Sequence, residues 1–264
     1  MPYRVDVRNV REDAFDRLVE LGALDVDALH GCRMAALLPD SITAAQVVTA
    51  VGSDDITISP AIGRDAESVW VLGPRAIRIG RLRIVPARSD PEHDAVRLID
   101  APAFGTGLHA TTALCLEALD EALPIAAPDA VLDVGTGSGV LALAALRLGV
   151  PRAVAIDVAD DALRVAAENA RINGVEHRLR LARGGPETLT GAWPLVLANI
   201  LAAPLIEMAP ALVRRVGHHG RLVLSGIPSS VEGDVDRAYR RLGMRRLDVK
   251  SRAGWVALVL QASW

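Results

Sequence analysis

A glycine-rich run near the middle of the chain is the first candidate for binding chemistry. Residues 133–139 read Asp-Val-Gly-Thr-Gly-Ser-Gly and follow a short apolar stretch. Glycines let the backbone turn tightly and approach a ligand closely, and the amide dipoles of the helix predicted over 140–148 would point at a negative group. The run therefore suits the carboxylate of a methionine moiety or, equally, a phosphate.

The spacing of these glycines favours one cofactor over the other. A nicotinamide-dinucleotide fingerprint is Gly-x-Gly-x-x-Gly, whereas Gly135, Gly137 and Gly139 alternate here and Asp133 precedes them. Asp157 closes the next apolar strand about 20 residues later, where a carboxylate can accept both ribose hydroxyls. The alternative role of this carboxylate is to cap the following helix. Together the two features favour S-adenosylmethionine and make a nicotinamide oxidoreductase the least favoured reading.

A second cluster of glycines, hydroxyls and an imidazole lies upstream. Residues 104–112 read Phe-Gly-Thr-Gly-Leu-His-Ala-Thr-Thr, and an apolar helix is predicted over 111–123. The run fits a simple helix start, but its glycine density favours a loop that covers the cofactor. His109 is a candidate catalytic base, and a structural hydrogen bond is the alternative that we favour for it.

Asn199 directly follows the apolar stretch 195–198, which predicts a parallel strand. In an open parallel sheet, ligands bind beyond the carboxyl ends of the strands. The side-chain amide at this position offers a carbonyl oxygen to the N–H of a target amine. We therefore predict that Asn199 lies near both the cofactor and the accepted amine.

Apolar strands alternate with helical patterns in the second part of the chain, which predicts a parallel sheet covered by helices on both faces. The last two strands lack the crossover of about a dozen residues that a parallel return needs, so we expect an antiparallel pair at the end of the sheet. A reversed final strand is typical of the class I methyltransferase, Rossmann-like α/β fold. The predicted strands span 130–134, 153–157, 179–182, 195–198, 221–224, 245–249 and 255–261.

The first sixty residues have a different organisation. They read as strand, helix, strand, strand, helix and strand, which is the split order of a small ferredoxin-like α+β domain. Glycines and prolines then interrupt the pattern, which predicts a connection that includes a hairpin. The predicted division is a ferredoxin-like domain over 1–60, a linker over 61–92 and a domain that contains the glycine loop over 93–264.

Composition argues against several classes of protein. Lys and Arg number 29 against 32 Asp and Glu, and the net charge is −3, so we expect no direct nucleic-acid binding. Cys32 and Cys115 are far apart without metal-ligand spacing, so we expect free thiols and no metal. No run of ~20 uncharged apolar residues is present, so we predict a cytoplasmic protein that does not enter membranes.

Five runs of this sequence resemble the ribosomal protein L11 methyltransferase (PrmA) family. They are residues 103–112, the glycine loop, residues 198–202, Leu-Ser-Gly-Ile at 224–227 and Gly-Trp-Val at 254–256. The resemblance covers roughly residue 99 to the C-terminus. It implies that residues 1–60 form a substrate-recognition domain that binds the ribosomal protein. It also implies that residues 93–264 form a catalytic domain that methylates lysine side chains and the N-terminal amine. By motif, it places the glycine loop on the cofactor and residues 104–107 over the site. The predicted cofactor-binding residues are Thr106, Gly107, Thr112, Asp133, Gly135, Gly137, Asp157 and Asn199, and the predicted catalytic residues are Phe104, His109 and Asn199.

The reaction so predicted needs little acid–base chemistry from the protein. The sulfonium of S-adenosylmethionine is already activated, so the enzyme supplies mainly orientation and desolvation. Burial near carbonyl acceptors lowers the pKa of a lysine and frees its lone pair. We expect a lysine N-methyltransferase of a ribosomal protein; the alternatives are a lysine methyltransferase of another protein and a scaffold that binds S-adenosylmethionine without transfer.

Overall fold

The described part of the chain forms three β-sheets with helices packed against them. The computed structural model describes residues 3–11, 13–23, 25–29, 33–60, 76–101, 104–105, 109–123 and 128–264. Four strands form a sheet near the N-terminus, three form a small sheet in the middle of the chain, and seven form the sheet of the larger unit. No helix among these residues is long and apolar enough to cross a membrane.

The N-terminal unit has the predicted ferredoxin-like topology. Its elements are β1 (Tyr3–Arg8), α1 (Ala14–Leu21), β2 (Asp25–Leu29), β3 (Arg33–Leu38), α2 (Ala44–Val51) and β4 (Ile56–Pro60). The strands lie in the order β2-β3-β1-β4, and every pair is antiparallel. α2 begins with a capping box, in which the Thr43 hydroxyl accepts the Gln46 N–H and the Gln46 side chain accepts the Thr43 N–H. Phe15 and Leu18 of α1 are buried against this sheet.

The middle of the chain contributes three short strands, β5 (Ile77–Ile79), β6 (Leu82–Pro86) and β7 (Ala95–Leu98). β5 and β6 form an antiparallel hairpin, and β7 runs parallel to β6. Ile79, Leu82 and Ile84 are buried in the same core as the helices of the larger unit. This half of the predicted linker therefore packs into the larger unit. The other half, 61–75, lies outside the described residues, and the domain boundaries stay a prediction.

The larger unit has the strand order of a class I methyltransferase, as predicted. Its sheet has the order β10-β9-β8-β11-β12-β14-β13, and β14 is antiparallel to both of its neighbours. The final strand thus lies inside the sheet rather than at its edge. The strands are β8 (Val131–Val134), β9 (Ala153–Asp157), β10 (Leu179–Arg183), β11 (Trp193–Asn199), β12 (Val216–Pro228), β13 (Met244–Arg252) and β14 (Trp255–Ala262).

Helices cover both faces of this sheet and bury its apolar side chains. They are α3 (Ala110–Ala122), α4 (Val140–Arg147), α5 (Asp160–Ile172), α6 (Ala202–Glu207), α7 (Ala209–Val213) and α8 (Glu232–Arg240). Residues of α3 and α4 share one core with the middle strands, and residues of α6, α7 and α8 form the other. The carboxyl ends of β8, β9 and β11 and the start of β14 meet at one edge of the sheet, and this edge carries the site.

Candidate active site

A cavity of about 660 Å³ opens at this edge, a volume in the usual range for small-molecule sites. Its wall follows the strand order from the end of β10 to the start of β14. Five strand spacings separate these strands, so the lining spans roughly 24 Å of sheet edge. We call the lining residues 134, 135, 137, 157–158 and 184–186 the β9 side, and the lining residues 104, 109, 111, 199–201, 204, 208, 226 and 255 the β14 side.

The glycine loop closes against the end of β9. The N–H groups of Gly135 and Thr136 both donate to the Ile156 carbonyl, at 2.9 and 3.0 Å. Gly137 has a φ of 54°, and a Cβ built on it would lie 2.5 Å from the Phe104 carbonyl oxygen. The Ser138 N–H donates to that same oxygen at 2.9 Å. Only glycine permits this approach at 137, and the upstream cluster is thereby fixed over the loop.

Asp157 accepts hydrogen bonds from the glycine loop and from the segment that follows β9; the N-cap of α5 is Ala159 rather than Asp157. One carboxylate oxygen accepts the Gly137 N–H and the other accepts the Ala159 N–H, each at 3.0 Å. Each oxygen has a further lone pair for a ligand hydroxyl. Val158 follows and is 69% exposed, so it offers an apolar surface beside the carboxylate. Sequence analysis missed Val158, although an apolar residue directly after a strand-ending carboxylate is a recognisable signal.

Asp133 lies behind the loop and does not line the cavity. It is fully buried, and its Oδ2 accepts the Thr136 hydroxyl at 2.6 Å and the Ala142 N–H at 3.3 Å. Its Oδ1 has no hydrogen-bond partner among the described residues. Burial raises the pKa of this carboxyl to about 6, against the lowering effect of those two hydrogen bonds. In this position Asp133 supports the loop and the start of α4, rather than touching a ligand.

Asn199 and Thr112 form a pair across the sheet edge. The Asn199 Nδ2 donates to the Thr112 hydroxyl oxygen at 3.2 Å. Thr112 is fully buried in α3 and does not line the cavity, whereas Asn199 does. The Asn199 Oδ1 is buried and has no partner among the described residues. Thr112 therefore orients the amide through its nitrogen, and the carbonyl oxygen is left unpaired among the described residues.

His109 is the N-cap of α3. Its Nδ1 accepts the Thr111 N–H at 3.3 Å and lies 2.8 Å from the Thr111 hydroxyl. Burial lowers the pKa of His109 to about 4, so the ring is neutral near pH 7 and its acceptor nitrogen is already occupied. These contacts support a structural role for His109 and leave it poorly placed as a base.

An aromatic row runs along the β14 side. The rings of Phe104 and His109 meet edge to face with centroids 5.5 Å apart, and His109 meets Trp255 in the same way at 5.2 Å. Phe104 is 39% exposed and lines the cavity. Of the predicted covering run, Thr106 and Gly107 lie outside the described residues.

Sequence analysis assigned no role at the site to two supporting residues, although one of them, Gly226, lies in a run that carries the family resemblance. The side chain of Asn169, buried in α5, donates to the Ser138 carbonyl and accepts the Ile99 N–H, both at 2.8 Å. Gly226 has a φ of 83°, and a Cβ there would lie 2.2 Å from the Ile200 carbonyl oxygen. Both residues lie where segments that are distant in sequence pack together, so no local pattern marks them. The available signal for Asn169 was a second buried asparagine four residues later, Asn173, which directly follows α5.

Known proteins are similar to this chain in sequence. A family model described as "Ribosomal protein L11 methyltransferase (PrmA)" matches residues 16–263. A ribosomal protein L11 methyltransferase of Pelobacter propionicus is 40% identical over 210 residues, which cover 76% of this chain and 68% of that protein. One of Sorangium cellulosum is 37% identical over 261 residues and covers 90% of this chain and 82% of its own.

A solved structure agrees with these sequence matches. The crystal structure of a ribosomal protein L11 methylase from Lactobacillus delbrueckii subsp. bulgaricus has a TM-score of 0.66 and 30% sequence identity, and covers 72% of this chain and 99% of its own. The part of the chain that the family model matches, residues 16–263, includes the glycine loop, Asp157 and Asn199. The chain therefore belongs to the ribosomal protein L11 methyltransferase (PrmA) family and is an S-adenosylmethionine-dependent methyltransferase.

Proposed function

We propose that this chain methylates ribosomal protein L11 in the cytoplasm, on the nitrogen of lysine side chains and on the N-terminal amine. The observation that carries the nitrogen chemistry is the buried Oδ1 of Asn199, which is without a partner among the described residues. Leaving such an acceptor unpaired costs about 1–3 kcal/mol. An amine N–H in the cavity would satisfy it.

The β9 side fits S-adenosylmethionine. Asp157 has a free lone pair on each carboxylate oxygen for the two ribose hydroxyls, and Val158 presents an apolar face to an adenine ring. The glycine loop places the N-terminus of α4 near the ligand edge, which suits the carboxylate of the methionine moiety. When bound, the cofactor supplies an electrophilic methyl group on a sulfonium. The chain itself supplies position and excludes water.

The β14 side suits a neutral amine. Its wall is mostly apolar or aromatic, with Phe104, Leu201 and Trp255 among its members, and Asp157 on the opposite side is the one carboxylate among the described lining residues. Burial without an opposing charge lowers the pKa of a lysine, so the amine enters after giving its proton to water. Asn199 then accepts an N–H and fixes the direction of the nitrogen lone pair.

The proposed substrate rests on the family and on the N-terminal unit. Relatives at about 40% identity are named as methyltransferases of ribosomal protein L11, and a separate ferredoxin-like unit is suited to holding a protein rather than a metabolite.

The test is mass spectrometry of purified ribosomal protein L11 after incubation with this protein and S-adenosylmethionine. We expect mass gains in steps of one methyl group, lost in Asp157→Ala together with cofactor binding and reduced in Asn199→Ala without loss of cofactor binding. No gain on ribosomal protein L11, with cofactor binding intact, would overturn the substrate and leave the methyltransferase in place.

A further inference from the structure

Trp255 belongs to two parts of the molecule at once. It lines the β14 side of the cavity, where its ring meets that of His109. The same residue and Ala253 pack against the core of the N-terminal unit. One side chain therefore contacts both the proposed recognition unit and the wall that faces the amine.

The turn that carries Trp255 is held firmly by the larger unit. Arg252 pairs with Glu117 of α3 at 2.6 Å, and the Gly254 carbonyl accepts the Ser229 N–H at 2.8 Å. β14 is paired with a strand on each side. The turn is therefore a fixed surface against which the N-terminal unit packs.

α1 of the N-terminal unit approaches this turn closely. A Cβ built on Gly254 would lie 3.1 Å from a carboxylate oxygen of Asp16. Asp16 is exposed on α1 and lies in sequence between the buried residues Phe15 and Leu18. Asp16, which does not line the cavity, therefore lies close to the turn that carries Trp255.

Contacts continue from Trp255 to the amine-facing amide. The indole meets His109, His109 caps α3, and Thr112 in the first turn of α3 holds the Asn199 amide at 3.2 Å. We propose that Trp255 is a positioning residue that couples the seating of the N-terminal unit to the orientation of Asn199. For its substrate readout this inference rests on the proposed function, whereas its structural readout does not.

The test perturbs the contact from the N-terminal side. Asp16→Arg introduces a large cation beside the turn, and Asp54→Arg is the matched control, because Asp54 is an equally exposed acid of the same unit that is not part of the contact with the turn. For each protein, the Trp255 contribution to fluorescence is the difference between its emission spectrum and that of the same protein carrying Trp255→Phe. We expect this contribution to shift in Asp16→Arg and to stay unchanged in Asp54→Arg, with the melting temperatures of both near that of the unaltered chain.

Kinetics provide the second readout. We expect Asp16→Arg to lower kcat for the protein substrate about tenfold, with the Kd of S-adenosylhomocysteine unchanged because the β9 side is untouched. Trp255→Ala should show the same split, and Trp255→Phe should recover most of the rate because it keeps an aromatic edge against His109.

The two readouts separate the two proposals. An Asp16→Arg spectrum and rate equal to those of Asp54→Arg would overturn the coupling. If the unaltered chain fails to methylate ribosomal protein L11, the substrate proposal fails, and the fluorescence comparison still decides the coupling.

Discussion

The two sides of the cavity are built in different ways. The β9 side consists of residues close together in sequence, and backbone N–H groups hold its carboxylate. The β14 side draws on residues from Phe104 to Trp255, and its key polar atom, the Asn199 Oδ1, is left without a partner among the described residues. The chain therefore presents a preformed hydrogen-bonded pocket on one side and an unsatisfied acceptor in an apolar wall on the other. The difference suits a cofactor held tightly and an amine held for reaction.

The comparison predicts that the largest effect on binding comes from Asp157. Asp157→Ala removes two charge-assisted hydrogen bonds to the ligand, each contributing about 2 kcal/mol, so the Kd of S-adenosylhomocysteine should rise about 1000-fold. Isothermal titration calorimetry measures this directly. The control is Asp161→Ala, an exposed acid at the start of α5, which should bind normally. A rise of less than about tenfold for Asp157→Ala would show that the β9 side does not depend on this carboxylate.

The buried acid behind the loop gives the β9 side a pH dependence. The pKa of Asp133 is raised from 3.8 to about 6 by burial, so the folded state holds its proton more tightly than the unfolded state. Stability therefore falls as pH rises from about 4 to 6, and Asp133→Asn removes this loss, which amounts to about 3 kcal/mol. Urea unfolding of both proteins at pH 4 and pH 7 tests it. An equal change in the free energy of unfolding of both proteins between pH 4 and pH 7 would contradict a buried Asp133 carboxyl that ionises in this range.

The β14 side should affect rate rather than cofactor affinity. Asn199→Ala removes the acceptor for the amine N–H, and we expect kcat to fall about 100-fold while the cofactor Kd stays nearly constant. Asn199→Asp keeps an acceptor but adds a charge that stabilises the ammonium, so its activity should recover only at higher pH. Single-turnover methylation measured across pH checks both variants. An Asn199→Ala enzyme with a full rate would remove the distinction between the two sides.

The smallest effect is expected at His109. Asparagine is a good N-cap, so His109→Asn should preserve α3. It also removes the ring that meets Trp255, so the methylation rate should fall about tenfold, as in Trp255→Ala, whereas loss of a general base costs about 100-fold or more. Because burial lowers the pKa of His109 to about 4, the rate of the unaltered enzyme should also show no inflection from this group near pH 6.5. Steady-state rates between pH 5 and 8 measure both quantities.

The β9 side and the fold were largely predictable from sequence. The strand over 153–157, the ferredoxin-like order and the reversed final strand all follow from apolar periodicity and connection length. β12 is longer than predicted, since it begins at Val216 rather than near 221. The glycines and histidines of 217–220 interrupt the apolar pattern there, although the backbone still pairs.

The β14 side was only partly predictable. Asn199 was found because it ends a strand, but Gly226 and Trp255 reach the cavity through tertiary packing that no local pattern encodes. Thr112 and Asp133, which were predicted to bind the cofactor, do not line the cavity; they hold Asn199 and the glycine loop. A motif indicates which residues gather at a site, whereas the packing decides which of them face the ligand.

The position of β14 has a consequence for synthesis on the ribosome. β14 follows β13 in the chain, yet it lies between β12 and β13 in the sheet. A nascent chain that ends before it exposes the edge of β12, and unpaired strand edges favour association with other chains. The strands β8, β9 and β10 pair with one another without β14. Emergence of β14 therefore both covers that edge and supplies the indole of Trp255, so the wall facing the amine is completed only after the other strands of this sheet have been made.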